Sequence, residues 1–466
     1  MKVLLVKYLT KYPPIGLGYL AAVLRQRGIS VDIIDYQIDR YDEARFKTRI
    51  LELKPDVVGI SCLSFYVKPC FEIARMVKEV RQDCHVVIGG PHATGLPEHC
   101  LSFDDVDTVI VGEGEHTLPE LVFALATKKD FSAIHGLGYR INGRVQINQP
   151  RPIIEDVDSI PYPAFDLFHL DKYYERADPH GMAMRNKRYM PVLTSRGCPF
   201  RCTYCHRTLG KNFRPRSPEN IIGEMELLYH KYGIREFHIE DDVFNLQMDR
   251  AKRILELMLK KGLKVSVQLP NGMRIDCMDK ELAVLLKRAG TFMTAIGIES
   301  GSPEVLKSMK KGLHLDKVEK GIRLLTNQGI LVWGYFMIGF PGETRTQMEE
   351  TIKLACRLGL HFASFSIVTP FPGTELFEAV RNKIDLNDYF KDRLTYSTPK
   401  IQLSEVPVVQ IIEVKKLALK RFYSPWRILR IASHISTFNE IHFYWEKFKK
   451  NILNPRFGKL PQANLK

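Results

Sequence analysis

The stretch Arg196-Gly197-Cys198-Pro199-Phe200-Arg201-Cys202-Thr203-Tyr204-Cys205-His206 decides how this chain reads. Its cysteines follow C-x3-C-x2-C spacing. Thiolates spaced this way suit three irons of a four-iron, four-sulfur cluster and leave the fourth iron open to a substrate or cofactor. A zinc site would want a fourth ligand in a tetrahedral shell. The nearest candidate, His206, stands directly beside Cys205, where shared ligation is awkward. Three cysteines so close together, among Arg and Pro, are also unlike a buried core.

Apolar, β-rich runs continue after the motif. Val192–Ser195 leads into it, and further runs follow at Glu236–Glu240, Lys264–Gln268, Met293–Ile298, Val332–Ile338 and Phe362–Ile367. Helical patterns separate them at Pro218–Tyr232, Met248–Lys261, Asp279–Arg288, Leu315–Gln328 and Thr346–Leu358. Six βα units make a barrel-like series too short for a closed eight-stranded barrel. The cysteine loop follows its first strand, at the strand end where barrel chemistry sits.

A second alternating series precedes the motif. Apolar runs at Val3–Val6, Val31–Ile34, Val57–Ser61, Val86–Gly89 and Thr108–Val111 alternate with helical patterns at Gly18–Arg27, Glu43–Leu53, Cys70–Val80 and Thr117–Ala126. Continuous apolar strands between amphipathic helices predict a parallel sheet covered on both faces. The fold class is α/β, with a doubly wound, flavodoxin-like domain first. Ligands of such sheets bind beyond the carboxyl ends of the strands. The unusual loops fall there: Tyr12–Gly18 with Pro13 and Gly16, Ser61–Tyr66, Gly89-Gly90-Pro91-His92, and Gly112-Glu113-Gly114-Glu115. The expected division is 1–135 for this domain, 136–190 for a hairpin at Gly138–Gly143 and a Pro-rich linker, 191–400 for the barrel, and 401–466 for a helical tail.

Nine cysteines, an odd number with six scattered outside the motif, do not make a disulfide framework and fit a reducing, cytoplasmic setting. The first residues are too short for a signal-peptide core, and no run of 18 apolar residues is present. From Ile411 to Lys466, twelve Lys or Arg face three acids, a net +9, interleaved with Phe422, Tyr423, Trp426, Phe438, Phe443, Tyr444, Trp445, Phe448 and Phe457. A basic aromatic tail suits a helical hairpin on a membrane surface or over an active site. A solvated helical cap is the alternative. No helix-turn-helix or other nucleic-acid motif accompanies the charge, so no specific nucleic acid is expected as a partner.

The cysteine spacing, with Tyr204 just before the last ligand, resembles the signature of the radical S-adenosylmethionine (radical SAM) superfamily, whose partial (β/α)6 barrel the six βα units match. The amino-terminal loops together resemble the cobalamin-binding domain found ahead of many radical SAM cores. The resemblance implies that Cys198, Cys202 and Cys205 hold the cluster and that S-adenosylmethionine is cleaved to a 5′-deoxyadenosyl radical. It places Tyr204 near the adenine and Glu240, Asp241 and Asp242 at the cofactors or substrate. It further assigns Arg274 to a carboxylate, Glu299 to the ribose or amino group, and the segment containing Ile338 and Gly339 to the adenine. Pro13, Gly16, Ser61, Gly89, Gly90, His92, Glu113, Gly114 and Glu115 would lie against cobalamin. One departure stands out: the D-x-H-x-x-G motif that supplies a cobalt-ligating histidine in methionine-synthase-like proteins is absent. His92 is therefore expected near the corrin rather than on cobalt.

The same resemblance extends to class B cobalamin-dependent methyltransferases, the anaerobic magnesium-protoporphyrin ester cyclase and hopanoid-associated proteins. It implies methylation or other modification of an unactivated carbon in a hydrophobic, lipid- or tetrapyrrole-like substrate, with an electron donor such as flavodoxin or ferredoxin. A cyclase or oxidoreductase without methyl transfer is the alternative within the class, and a non-catalytic cobalamin or redox sensor the alternative outside it. A methylthiotransferase would add cluster cysteines ahead of the barrel, but Cys62 closes a strand and Cys70 falls in a helix.

Overall fold

The computed structural model describes residues 1–9, 12–175, 182–206, 208–397 and 399–448. Phe457 and the basic residues at the chain's end lie outside them. The amino-terminal sheet contains β1 (Lys2–Lys7), β2 (Ser30–Asp35), β3 (Val57–Ser61), β4 (His85–Gly89), β5 (Thr108–Ile110), β6 (Leu137–Ile141) and β7 (Arg144–Ile147). Its order is β2-β1-β3-β4-β5-β6-β7, parallel through β5, and the first five strands have the flavodoxin order. The hairpin expected in the connector is part of this sheet: β6 pairs antiparallel with β5, and β7 with β6. Asn142 and Gly143 turn it with φ of 48° and 75°, the left-handed pair that a two-residue hairpin turn requires.

The second sheet is six-stranded and wholly parallel. It joins β8 (Tyr189–Val192), β11 (Glu236–Ile239), β12 (Ser266–Leu269), β13 (Thr291–Glu299), β14 (Leu331–Ile338) and β15 (Phe362–Ile367) in chain order from one edge to the other. The strand expected at Val192–Ser195 starts three residues earlier. Its Pro191, which donates no backbone hydrogen bond, is tolerated because β8 is an edge strand. Ser195–Arg196 (β9) leaves the sheet and pairs with Arg214–Pro215 (β10) in a separate two-stranded ladder.

The two halves share a core. Phe371, Phe377, Tyr389, Phe390 and Leu394, all following β15, pack into the same apolar cluster as Val58, Phe71, Ile88 and Val109 of the first sheet's layers. Gly95 seals the join, since a Cβ there would lie 2.7 Å from the carbonyl carbon of Pro372.

The tail closes the end of the barrel away from the cysteine loop. Helix Val408–Phe422 packs along edge strand β15 and hides its open side. Tyr423 exchanges hydrogen bonds with the backbone of Ala363, and Arg427 donates to the carbonyls of Leu360 and Cys356. Tyr444 stacks on Phe362, and the fully buried Glu440 carboxylate faces Arg185 at 3.4 Å. These contacts lie at the amino ends of the strands, whereas Leu403 and Ile411, earlier in the tail, reach Gly342 and Gly339 at the carboxyl ends.

Candidate functional site

The cysteine loop is pinched at its neck. Arg196 and Arg214 are register partners in the β9–β10 ladder. Gly197 holds φ +78°, and any Cβ there would run into the carbonyl oxygens of Asn212 and Leu209. Only glycine suits such an approach. Inside the loop, Thr203 N donates to Met309 O and its own carbonyl receives Leu376 N, so the cysteines are fastened to the barrel on two sides. Desolvation, aided by the Asp242 carboxylate, raises Cys198 above the ordinary thiol value, with Lys311 opposing, while Cys205 is exposed.

Five carboxyl ends of the second sheet surround this loop. After β11, Asp241 is fully engaged with the backbone amides and hydroxyls of Thr194 and Ser195, at 2.5–3.2 Å. It braces the approach to the cysteines rather than facing a ligand. Glu240 receives Asn271 Nδ2 at 3.2 Å. Burial and the adjacent Asp241 carboxylate push Asp242 up to about 6. Arg274 is spent on structure too: it pairs with Asp276 at 2.5 Å, donates to Gly312 O and lies 4.3 Å over the Phe200 ring.

At the end of β13, Glu299 adopts φ +70°, a conformation uncommon outside glycine. Its carboxylate receives Lys311 Nζ at 3.0 Å, and the same ammonium lies 3.4 Å from the Tyr204 hydroxyl. The residue pattern did not single out Lys311; nothing in Lys310-Lys311-Gly312 separates it from a surface pair. At the end of β14, Ile338 is fully buried and Gly339 turns with φ +87°. Glu343 closes that turn by accepting Gly339 N at 2.6 Å and Phe340 N at 3.0 Å.

The first sheet presents a glycine-lined rim. At Gly90, with φ +94°, a Cβ would crowd the Cys62 carbonyl oxygen at 3.0 Å and Ser61 Oγ at 3.3 Å. Among the described residues, nothing lies within 4 Å of where a Cβ would stand at Gly16 or Gly112, which leaves their faces open. Gly89 has only Ile110 near that position, at 3.8 Å, and Gly114 meets Leu20 at 3.1 Å. Pro13 is buried and its carbonyl receives Ile15 N at the start of the first helix. Ser61 Oγ accepts from the buried Lys7 ammonium at 3.2 Å.

His92, expected near the corrin rather than on cobalt, has both ring nitrogens engaged within the protein. It is fully buried, with Nδ1 against Ser64 Oγ and Nε2 against His99 Nδ1, so neither ring nitrogen is offered to a ligand. Glu113 and Glu115 also point elsewhere: both are ion-paired with Arg196 at 2.7 Å, across the domain boundary.

The two rims meet at Phe371. Its ring lies 4.9 Å from Phe65, in the loop after β3, and 5.3 Å from His206, beside the last cysteine. Burial raises the pKa of Tyr12, in the loop after β1, with the Glu240 carboxylate adding to the rise from the opposite rim. The cysteine loop and the first sheet's rim are thus neighbours across Phe371.

The radical SAM superfamily description matches residues 192–355, and the B12 binding domain description matches residues 1–122. An uncharacterized methyltransferase of Pyrococcus horikoshii is 35% identical over 90% of each chain. The chain belongs to the radical SAM superfamily, in the group that carries a B12-binding domain. The cytidylyl-2-hydroxyethylphosphonate methyltransferase of Streptomyces wedmorensis is 31% identical, covering 82% of this chain and 80% of that one. Among solved structures, the radical S-adenosylmethionine methyltransferase TsrM of Kitasatospora setae, with cobalamin and cluster bound, superposes with a TM-score of 0.70. It covers 82% of this chain and 75% of its own at 22% identity, a likeness of fold. The chain is a radical SAM enzyme whose cofactors are a four-iron, four-sulfur cluster, S-adenosylmethionine and cobalamin. The C-x3-C-x2-C spacing fits the cluster, although among the described residues no three His, Cys, Asp or Glu side chains are grouped as a metal site, and the open glycine rim fits a large flat ring.

Proposed function

We propose that this enzyme methylates an unactivated carbon of a hydrophobic, lipid- or tetrapyrrole-like substrate. The observation that carries the reading is the Phe371 ring, which neighbours both the loop after β3 and the residue beside Cys205 and so supports adjoining seats for the two cofactors. When bound, the cofactors supply a 5′-deoxyadenosyl radical for hydrogen abstraction and a corrin-carried methyl group for transfer. Cys198, Cys202 and Cys205 hold the cluster. Lys311 and Glu299 present a cation and an anion to the zwitterionic methionine end of S-adenosylmethionine. Ile338 and the Gly339 turn form an apolar wall for its adenine, beside Tyr204. Pro13, Gly16, Ser61, Gly89, Gly90 and Gly114 line the corrin's seat. Phe65, Phe371 and Tyr396, whose rings lie within 5.6 Å of one another, exclude water and favour an apolar substrate.

The test is anaerobic reconstitution followed by turnover with S-adenosylmethionine labelled in its methyl group. Label in a lipid or tetrapyrrole product, with 5′-deoxyadenosine formed in proportion, is the expected result. Product without label would favour the cyclase alternative, and no 5′-deoxyadenosine the sensor.

A peripheral membrane contact belongs to the same proposal. Trp426, Leu429, Phe438, Ile441 and Trp445 are exposed on the last two helices, Trp426 and Phe438 each at 82%. No helix among the described residues is long and apolar enough to cross a membrane. Apolar side chains beside excess Lys and Arg suit the surface of an anionic bilayer. Sedimentation with phosphatidylglycerol vesicles, and not with phosphatidylcholine vesicles, is expected. The double variant Trp426→Ser/Phe438→Ser should remain in the supernatant. An electron donor such as flavodoxin or ferredoxin completes the set of partners.

A further inference from the structure

Arg196 stands two residues before the first cysteine, yet both arms of its guanidinium reach the other domain. Nη1 meets Glu113 Oε1 at 2.7 Å and Nη2 meets Glu115 Oε1 at 2.7 Å. The second oxygen of Glu113 takes Arg214 Nη1 at 2.8 Å and the backbone N–H of Ile154 at 3.1 Å. Arg214 in turn donates to the carbonyls of Ile154 and Leu209, the latter inside the cysteine loop. Four side chains, two of each sign, are all under 10% exposed.

The two carboxylates occupy the first turn of helix Gly114–Thr127 and the residue before it, beside the open Gly112 face. The two arginines close the β9–β10 neck from which the cysteine loop hangs. A displacement at either end must therefore move the other, or leave a charge buried without its partner. Losing one partner of such a pair costs on the order of 3–5 kcal/mol. An apolar contact would join the domains as firmly, so stability alone does not explain four buried charges.

We propose that Arg196 is a positioning residue which, through Glu113 and Glu115, couples occupancy of the corrin rim to the posture of the cysteine loop. This rests on the cofactor assignments proposed above. Linkage then requires each ligand to tighten the other by the same factor. The test titrates hydroxocobalamin into the cluster-loaded protein with and without S-adenosylmethionine, keeping the cluster oxidised so that nothing is cleaved. In the wild type, S-adenosylmethionine should tighten cobalamin binding about tenfold, a typical coupling factor. In Glu115→Gln, which keeps the side chain's shape and removes its charge, the factor should fall to within twofold of one. Arg196→Lys, which keeps the charge and loses the fork, should do the same and serves if the first variant fails to hold its iron. Equal weakening of cobalamin binding in both titrations with the factor retained would mark a merely structural network and overturn the proposal. An uncoupled wild type would overturn it as well. A wild type that binds no cobalamin at all would instead sink the cofactor assignment itself.

Discussion

Lys311 Nζ lies 3.0 Å from Glu299 Oε1, and the glutamate that receives it holds a left-handed backbone at φ +70°. A non-glycine residue keeps this conformation only when its surroundings fix it. The β13–β14 register slips between Gly297 and Glu299, which aims the carboxylate out of the strand. Lys311 reaches back from beyond the following helix to meet it. The pair thus joins two barrel segments at the level of Tyr204, where the proposed function seats the methionine end of S-adenosylmethionine.

Lys311→Met should cut 5′-deoxyadenosine formation by about 10–100-fold, the range expected from losing a hydrogen bond to a charged group. Iron content should stay near that of the wild type, because the cysteines are untouched. Lys311→Arg should recover part of the loss. Product analysis by chromatography after dithionite reduction reads it directly. Wild-type rates in Lys311→Met would remove the residue from the site.

Gly95 offers a test of the join between the domains. Its Cβ position lies 2.7 Å from the Pro372 carbonyl carbon and 2.8 Å from Gly373 N, both rigid backbone atoms. Gly95→Val should therefore destabilise the protein by about 1–3 kcal/mol. It should also open the cleft to proteolysis near residues 370–374. Protection from limited proteolysis equal to that of the wild type would show that the contact yields without cost.

Much of this architecture is legible in the residues because buried parallel strands read as continuous apolar runs. Val57–Ser61 and Phe362–Ile367 are strands at the very bounds their apolar character implies. The first barrel strand is displaced because Pro191 obscures it and Ser195–Arg196 imitates its continuation. The site is less legible. Asp241, Arg274, Glu113 and Glu115 carry the right charge at the right strand ends, but each is used by a neighbour. Arg196 and Glu115 are 81 positions apart in the chain, and no local pattern announces that they meet. His92 is a similar case: its loop suggests a rim, while its ring turns inward to Ser64 and His99.

Replacing any one of Cys198, Cys202 and Cys205 by Ala should abolish the cluster's visible absorbance and reduce bound iron to background. Two thiolates leave a second iron without a protein ligand. Cobalamin should still be retained, because the glycine rim belongs to the other sheet. Its loss together with the iron would mean that the cysteine loop itself forms part of the corrin's seat.

The carboxylate of Glu343 supplies a pH test within the Gly339 turn. Burial raises it to about 7, although the amides of Gly339 and Phe340 pull the other way. Its Oε1 meets no donor among the described residues. The folded state thus holds this proton more tightly than the unfolded chain, where the group titrates near 4.5. Its contribution to stability is complete below pH 4.5 and is lost as pH rises through 7. Over that window the wild type should lose about 3 kcal/mol from this group. Glu343→Gln can accept the same two amides and has no charge to bury. The variant should therefore gain on the wild type as pH rises from 5 to 8, read as the difference between their urea midpoints. A constant difference across that range would mean that Glu343 is already ionised in the folded protein at pH 5.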